Sequence, residues 1–545
     1  MNMPAWKTKI PWLPLSASAA GLILLSLVLA GISARFQSLL GWASFFWVSA
    51  LAALLLLGGW RALRGEHPPV WLLHLLVGAA LLRLALGAFW YLALPAWGYA
   101  SPPEQAGYVM ADAHERDQAA WELANSGKPL ASAFRGAYHR ADQYGGLLYL
   151  SAAVYRYLGG QTHQPLLIVV LAAAFSSLAV LFTWALAQRA WSEGTARLAA
   201  WGLALYPEAL LLGSSQMREA FLMALVAAAF WGLMRAAQRR SLNSLGWVLA
   251  ALLICLPFSP PVAGMLLALL ALQALFIAKI GAARIGAFDG GFVRQFASRR
   301  RNLLILLGLA LLILLAIWLT LRQLAPEVGA NPLALLQWWL KKTAEWQAHL
   351  SQRASGWVQK IFRNTPDWMN VPLLLIYGVA QPFLPAALGD LSGAPVWRGI
   401  AIWRALGWTL LLPLLLYAPL RAWRRNGAKR SIARGLSLAV WLVILLASFR
   451  SGGDLWDNPR YRVVFAGTQL ALAAWAWSAP RRLPDPWLRR VLVGLAFVLA
   501  WFVPWYLRRY TPLQWPVGDL FKTLGLGLAC ACLYWIWDWV GENFL

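Results

Sequence analysis

Long apolar runs follow one another along almost the whole chain, and they decide what it can fold into. In a bilayer every backbone N–H and C=O must be paired internally, which leaves helices as the economical way to cross. A span takes about 20 apolar residues. About 14 segments qualify on length: 14–33, 40–59, 69–95, 164–187, 197–213, 219–236, 245–257, 261–278, 303–321, 401–420, 435–449, 463–479, 489–507 and 520–540. Residues 245–278 cross twice, because both flanks are basic and Pro257, Pro260 and Pro261 supply a break between them. Segment 371–388 is apolar but rich in proline (Pro372, Pro382, Pro385) and reads as interfacial or re-entrant. The chain is 12% charged, against roughly 25% for a soluble domain. The expected fold is all-α and polytopic.

Charge sets the orientation. There are 47 Lys+Arg against 21 Asp+Glu, a formal balance of +26. The basic residues are scattered over short loops rather than gathered in one patch, which argues against a nucleic-acid partner and for topology control. With the N-terminus in the cytoplasm, Arg61 and Arg64, Arg189 and Arg197, Lys279 to Arg301, Arg421 to Arg434 and Arg481 to Arg490 lie inside, and most acids face out. Lys7 and Lys9 precede the first apolar run without a clear cleavage site, so that run reads as a retained helix. Cys255, Cys530 and Cys532 all fall in apolar spans and suggest neither a disulfide framework nor a zinc site. Four regions are expected: an N-terminal cytoplasmic segment and hairpin (1–65), a core of spans (66–321) containing a first outer loop at 99–160, a long outer loop with interfacial helices (322–400), and C-terminal spans (401–545).

The first outer loop is the longest polar interruption before residue 280. It carries Asp112-Ala-His-Glu-Arg-Asp117, then Tyr138-His139-Arg140-Ala-Asp142. A helix is expected from Ala113 to Ser126, with Asp112 as N-cap, Glu115 completing a capping box and Gly127 stopping it. Asp112 is then either a cap alone or a cap with chemistry, and Asp117, in the helix interior, is a surface carboxylate or a second acid. His114, His139 and Arg140 belong to the same polar wall and are candidates for substrate contact.

Three other places carry charge where apolar residues would do. Arg218 and Glu219 stand at a short outer turn, after Tyr206-Pro-Glu208 and Ser214-Ser-Gln-Met. They read as a snorkelling ion pair or as a second acid facing the loop. Arg460-Tyr461-Arg462 follow Asp454, Asp457 and Asn458 at the outer end of a span. Guanidinium forks there suit a phosphate at the headgroup level, or simply anchor the interface. Arg83 lies mid-span, where a cation costs at least ~2.5 kcal/mol, so it is a site candidate or a buried structural partner.

This order of motifs resembles a known family. Asp112-Ala-His-Glu-Arg-Asp-Gln-Ala-Ala-Trp-Glu-Leu-Ala-Asn-Ser-Gly, Gln143-Tyr-Gly-Gly-Leu-Leu-Tyr-Leu, Leu205-Tyr-Pro-Glu-Ala, Ser214-Ser-Gln-Met-Arg-Glu-Ala-Phe and Pro459-Arg-Tyr-Arg are similar to the GT-C glycosyltransferases of the protein O-mannosyltransferase and aminoarabinose-transferase type. The likeness covers about 99–240, with an echo at 450–478. It implies a GT-C helical bundle with its site on the extracytoplasmic side of the plasma (inner) membrane and a sugar donor on polyprenyl phosphate. By position Asp112, or in reserve Asp117, would serve the acceptor, and Glu219 would be a second acid. Two features depart from that pattern: the additional spans ahead of the loop-bearing one, and Val463-Val-Phe-Ala after the late arginines.

The implied reaction needs a base near an acceptor hydroxyl, cations for a departing phosphate and a groove for an isoprenoid tail. Acids at the outer rim permit a divalent cation without a compact ligand motif demanding one. The competing readings are a transporter or lipid flippase, a surface-glycan polymerase or ligase, and a scaffold. Charge at the outer boundary rather than along the membrane interior favours the transferase.

Overall fold

A computed structural model describes residues 15–239, 242–283, 300–339, 341–342, 365–424, 427–451, 457–478, 485–508 and 515–544. Asp454, most of the basic run from Lys279 to Arg301, and much of the 322–400 loop fall outside the described residues. Among the described residues all regular structure is helical.

Helices α1 (Leu15–Ser33), α2 (Trp42–Ala62) and α3 (Val70–Trp97) precede the outer loop. The loop contains α4 (Pro102–Gln105), α5 (Ala111–Asn125) and α6 (Gly146–Tyr157). The core follows with α7 (Leu166–Ala190), α8 (Glu193–Leu205), α9 (Pro207–Gly213), α10 (Arg218–Arg239), α11 (Leu242–Phe258) and α12 (Pro260–Ala283). Then come α13 (Arg300–Leu324), α14 (Asp367–Ala380), α15 (Leu384–Gly389), α16 (Pro395–Trp423), α17 (Ala428–Ser451), α18 (Asp457–Val463), α19 (Ala466–Trp477), α20 (Pro486–Leu507) and α21 (Leu520–Phe544).

Nine of the described helices are long and apolar enough to cross a membrane: α2, α3, α7, α10, α12, α16, α17, α20 and α21. Segments of α1, α11, α13 and α14 are apolar but shorter. The expected count of about 14 is therefore not reached by span-length helices among the described residues. The reason is visible at two places. Segment 197–213 breaks at Tyr206, which is extended (φ −65, ψ 119), because Pro207 has no N–H to continue α8 and starts α9 instead. Segment 463–479 is divided between α18 and α19 by a turn at Val464–Phe465. By contrast, 245–278 does form two helices, with the break at Ser259.

The centre of the bundle is α7 against α10, both buried almost throughout and carrying the fully buried Trp184 and Trp231. Helices α20 and α21 pack mainly on each other and leave most of their apolar surface outward. An apolar periphery around a close-packed centre is what a lipid solvent permits. The helices of loop 99–160 pack on the end of this bundle, α5 on α6 and α6 on α11.

Candidate active site

Helix α5 starts earlier than its sequence indicates. Met110 is the N-cap, with no side-chain capping bond, and Asp112 already lies inside the first turn. The capping reading of Asp112 is therefore corrected. An anionic residue in a first turn still gains from the helix dipole, but the carboxylate points to a guanidinium from a distant part of the chain.

That guanidinium is Arg460 on α18. Its Nη2 donates to Asp112 Oδ2 at 2.8 Å and its Nε to Glu219 Oε1 at 2.7 Å, so one side chain joins the outer loop to the start of α10. Asp457 lies one turn back, 3.7 Å from Arg460 Nη1. Arg116 adds a second cation, 3.5 Å from Asp112 and 3.8 Å from the buried Asp142, and donates to the Gln216 carbonyl at 3.2 Å. Arg218 adds a third, 3.9 Å from Glu219 and lying over the Tyr144 ring at 4.9 Å. Asp142 is tied down by the amides of Leu148 and Tyr144. Glu219 is 2% exposed and its Oε2 has no hydrogen-bond partner among the described residues, whereas the Asp112 side chain is 40% exposed.

The electrostatics follow from these contacts. Burial raises the Asp112 carboxyl, but Arg460, then Arg116 and Arg218, outweigh it and hold the group below the usual carboxylate range. Burial disfavours the Arg460 cation, yet Glu219 and Asp112 more than compensate, so its pKa lies above the ordinary arginine value. The cluster is a fixed set of charges between water and a dry interior.

Asp117 is not part of it. Five residues along a helix turn the side chain by roughly 140°, and Asp117 is buried on the other face of α5. It accepts from Tyr108 and Tyr155 hydroxyls at 2.6 Å each and contacts His163 Nε2 at 2.8 Å. His163 stacks on Trp121 with ring centroids 5.3 Å apart. His114 belongs to this side as well, edge-on to Tyr108 and 2.8 Å from the Gln118 amide nitrogen. Its imidazole pKa is lowered, burial outweighing Asp117 and Glu115.

The other candidates separate. Tyr461 is partly buried beside Asp457, Arg460 and Arg218, at the margin of the cluster, its hydroxyl pKa raised chiefly by burial. Arg462 is two residues on from Arg460 and faces the opposite way, 3.4 Å over the Trp408 ring and near Tyr206 and Glu208. The two late arginines thus do not form a single clamp. His139 is half-buried with neither ring nitrogen bonded among the described residues, and Arg140 is exposed. Among the described residues neither is joined to Asp112, Glu219 or Arg460 by a hydrogen bond or ion pair. Arg83 is fully buried, donating to the Ala79 and Leu203 carbonyls at 3.1 and 3.4 Å. A Cβ on Gly213 would come 2.8 Å from its Nε, so the end of α9 is closed over it. Arg83 is thus enclosed by its own helix, α8 and the end of α9.

Sequence reasoning missed Arg116, Asp142, Asp457 and His163. Arg116 had a legible signal, being one turn from Asp112. His163 had none. It also missed the buried pair in which Arg404 of α16 grips both oxygens of Glu208, at 2.6 and 2.9 Å.

The end of α5 is held from outside. Arg156 on α6 donates to the carbonyls of Leu123, Ala124, Ser126 and Lys128 at 2.6–3.0 Å. Arg156→Ala frees all four, and at ~1–3 kcal/mol for such a loss amide exchange over 123–128 is expected to quicken about 5- to 150-fold. Hydrogen-exchange mass spectrometry checks this, with α7 as the unchanged reference.

No family model matches the chain, and no curated protein is similar to it. Among solved structures, the archaeal oligosaccharyltransferase AglB of Archaeoglobus fulgidus with an inhibitory peptide and dolichol-phosphate aligns at 15% identity and TM-score 0.39, covering 85% of this chain and 56% of that one. The Archaeoglobus fulgidus oligosaccharyltransferase tethered to an acceptor peptide aligns at 14% and 0.42, covering 86% and 54%. The chain spans about half the length of the solved structures it matches.

Proposed function

We propose that this polytopic membrane protein is a glycosyltransferase that moves a sugar from a polyprenyl-phosphate donor to an acceptor on the extracytoplasmic side of the plasma membrane. The observation that carries this reading is the meeting of Asp112, Glu219 and Arg460 within hydrogen-bonding distance. They come from three stretches that the sequence likeness singles out, 107 and 241 residues apart in turn.

In this reading Asp112, the more accessible acid, receives the acceptor hydroxyl proton as the acceptor oxygen attacks the anomeric carbon. The bond from that carbon to the phosphate oxygen breaks, and polyprenyl phosphate departs with the electron pair. Arg218, Arg460 and Arg116 supply positive potential for the departing phosphate. Glu219 orients Arg460 with one oxygen and offers the other to a substrate donor. A base with a low pKa is a weak one, so proton transfer comes late, when the attacking oxygen has become acidic. An apolar cavity of about 410 Å³ between α3 and α16, lined by Phe89, Trp90, Trp97, Ile400 and Trp403 among others, has the character an isoprenoid tail requires. Trp90, on its wall, donates to Ser214 Oγ at 3.0 Å, in the turn that leads into Arg218 and Glu219.

The test is bond cleavage. Protein in lipid nanodiscs, given a polyprenyl-phosphate sugar and candidate acceptors, is expected to release polyprenyl phosphate only when an acceptor is present. Movement of the donor lipid across a bilayer with its glycosyl phosphate intact would instead support the flippase reading.

A further inference from the structure

The Asp112–Glu219 pair is where a divalent cation would be sought, since two carboxylates from different segments converge there. The side-chain arrangement does not fit one. Both acids already spend an oxygen on the same guanidinium, at 2.8 and 2.7 Å. Magnesium requires oxygen ligands at ~2.0–2.1 Å in near-ideal octahedral geometry. A metal reaching both carboxylates would come into conflict with Arg460 and feel Arg116 and Arg218 within 3.5 and 3.9 Å of the same two acids. Among the described residues no three His, Cys, Asp or Glu side chains are grouped to hold a metal.

We propose that Arg460 is the resident cation of this site, joining Asp112 to Glu219 as a bridging metal would, so that the protein works without a divalent ion. A guanidinium stays charged and offers donors in a rigid fork, which lets it serve two carboxylates at once. It also removes the repulsion of placing a buried Glu219 near Asp112. The role of the cation in sugar transfer rests on the function proposed above; its occupancy of the carboxylate pair does not.

The experiment separates the two. Wild-type protein in nanodiscs is titrated with Mn²⁺ and followed by electron paramagnetic resonance, and its transfer rate is measured before and after EDTA. The expected result is no stoichiometric Mn²⁺ site and an unchanged rate. Arg460→Gln vacates the pair, and Mn²⁺ is expected to bind this variant and raise its melting temperature, a response lost in Arg460→Gln/Glu219→Gln. A stoichiometric site in wild type that disappears in Glu219→Gln overturns the proposal, as does transfer abolished by EDTA and restored by Mn²⁺. Failure of folded Arg460→Gln to respond to Mn²⁺ also overturns it. If Arg460→Gln does not accumulate, the wild-type titration decides alone. Absence of transfer with every donor would count against the function, while the Mn²⁺ measurements would still judge the cation.

Discussion

If Asp112 is the base proposed above, Asp112→Asn is expected to fold normally, keep its donor affinity and lose transfer by roughly 10²–10⁴-fold, the amount a positioned base contributes. Because Met110 rather than Asp112 caps α5, the substitution leaves the cap alone and removes only the small dipole contribution of a first-turn anion. Asn retains an oxygen for Arg460 but cannot take a proton. Asp117→Asn gives the contrasting profile. It disturbs a carboxylate buried among Tyr108, Tyr155 and His163 and acts on the stability of the loop rather than directly on the reacting groups. The measurement is transfer at saturating donor on proteins matched for monodispersity. A near-parental rate for Asp112→Asn would remove the acid from the reaction.

Glu208→Gln produces the largest expected loss of stability. Glu208 and Arg404 are 2% and 3% exposed and joined by two hydrogen bonds. Removing one charge leaves the other buried and uncompensated, a cost of about 3–5 kcal/mol. Arg462 lies in the same neighbourhood and adds another positive charge to the deficit. Glu208→Gln is therefore expected to unfold well below the parent temperature in detergent, followed by fluorescence-detected size exclusion. Replacing both partners by methionine should recover much of the loss, since that leaves no stranded charge. Equal melting of Glu208→Gln and parent would show the pair to be dispensable.

Much of the site was legible because its residues break a rule. Asp112, Glu219 and Arg460 stood out as charge at membrane boundaries, and they meet. What sequence could not convey was direction. Arg460 and Arg462 look like a matched pair flanking Tyr461, yet on a short helix two residues apart they face away from each other. Asp112 and Asp117 look like successive acids of one loop, but five residues of helix send them to opposite faces. Arg83 met the criterion for a functional intramembrane charge, and its partners are backbone carbonyls of its own turn and of α8. In the fold, hydropathy located the nine span-length helices found among the described residues but overlooked the breaks at Pro207 and Val464–Phe465. An apolar run reads the same whether its helix continues or stops. Arg404 was hidden for a related reason, as a single charge inside the apolar run that became α16.

The three-way anchoring of Asp117 has a mechanical consequence. Tyr108 precedes α5, Tyr155 belongs to α6 and His163 leads into α7, so one buried carboxylate bolts both ends of the outer loop and its middle together. Separating α5 from α6 and from the start of α7 would break these contacts and bring the acid into water, while Arg156 holds the far end. The three contacts pin α5 within the loop and to the residue leading into α7. Whatever reaches Asp112 must come over it or from the membrane side.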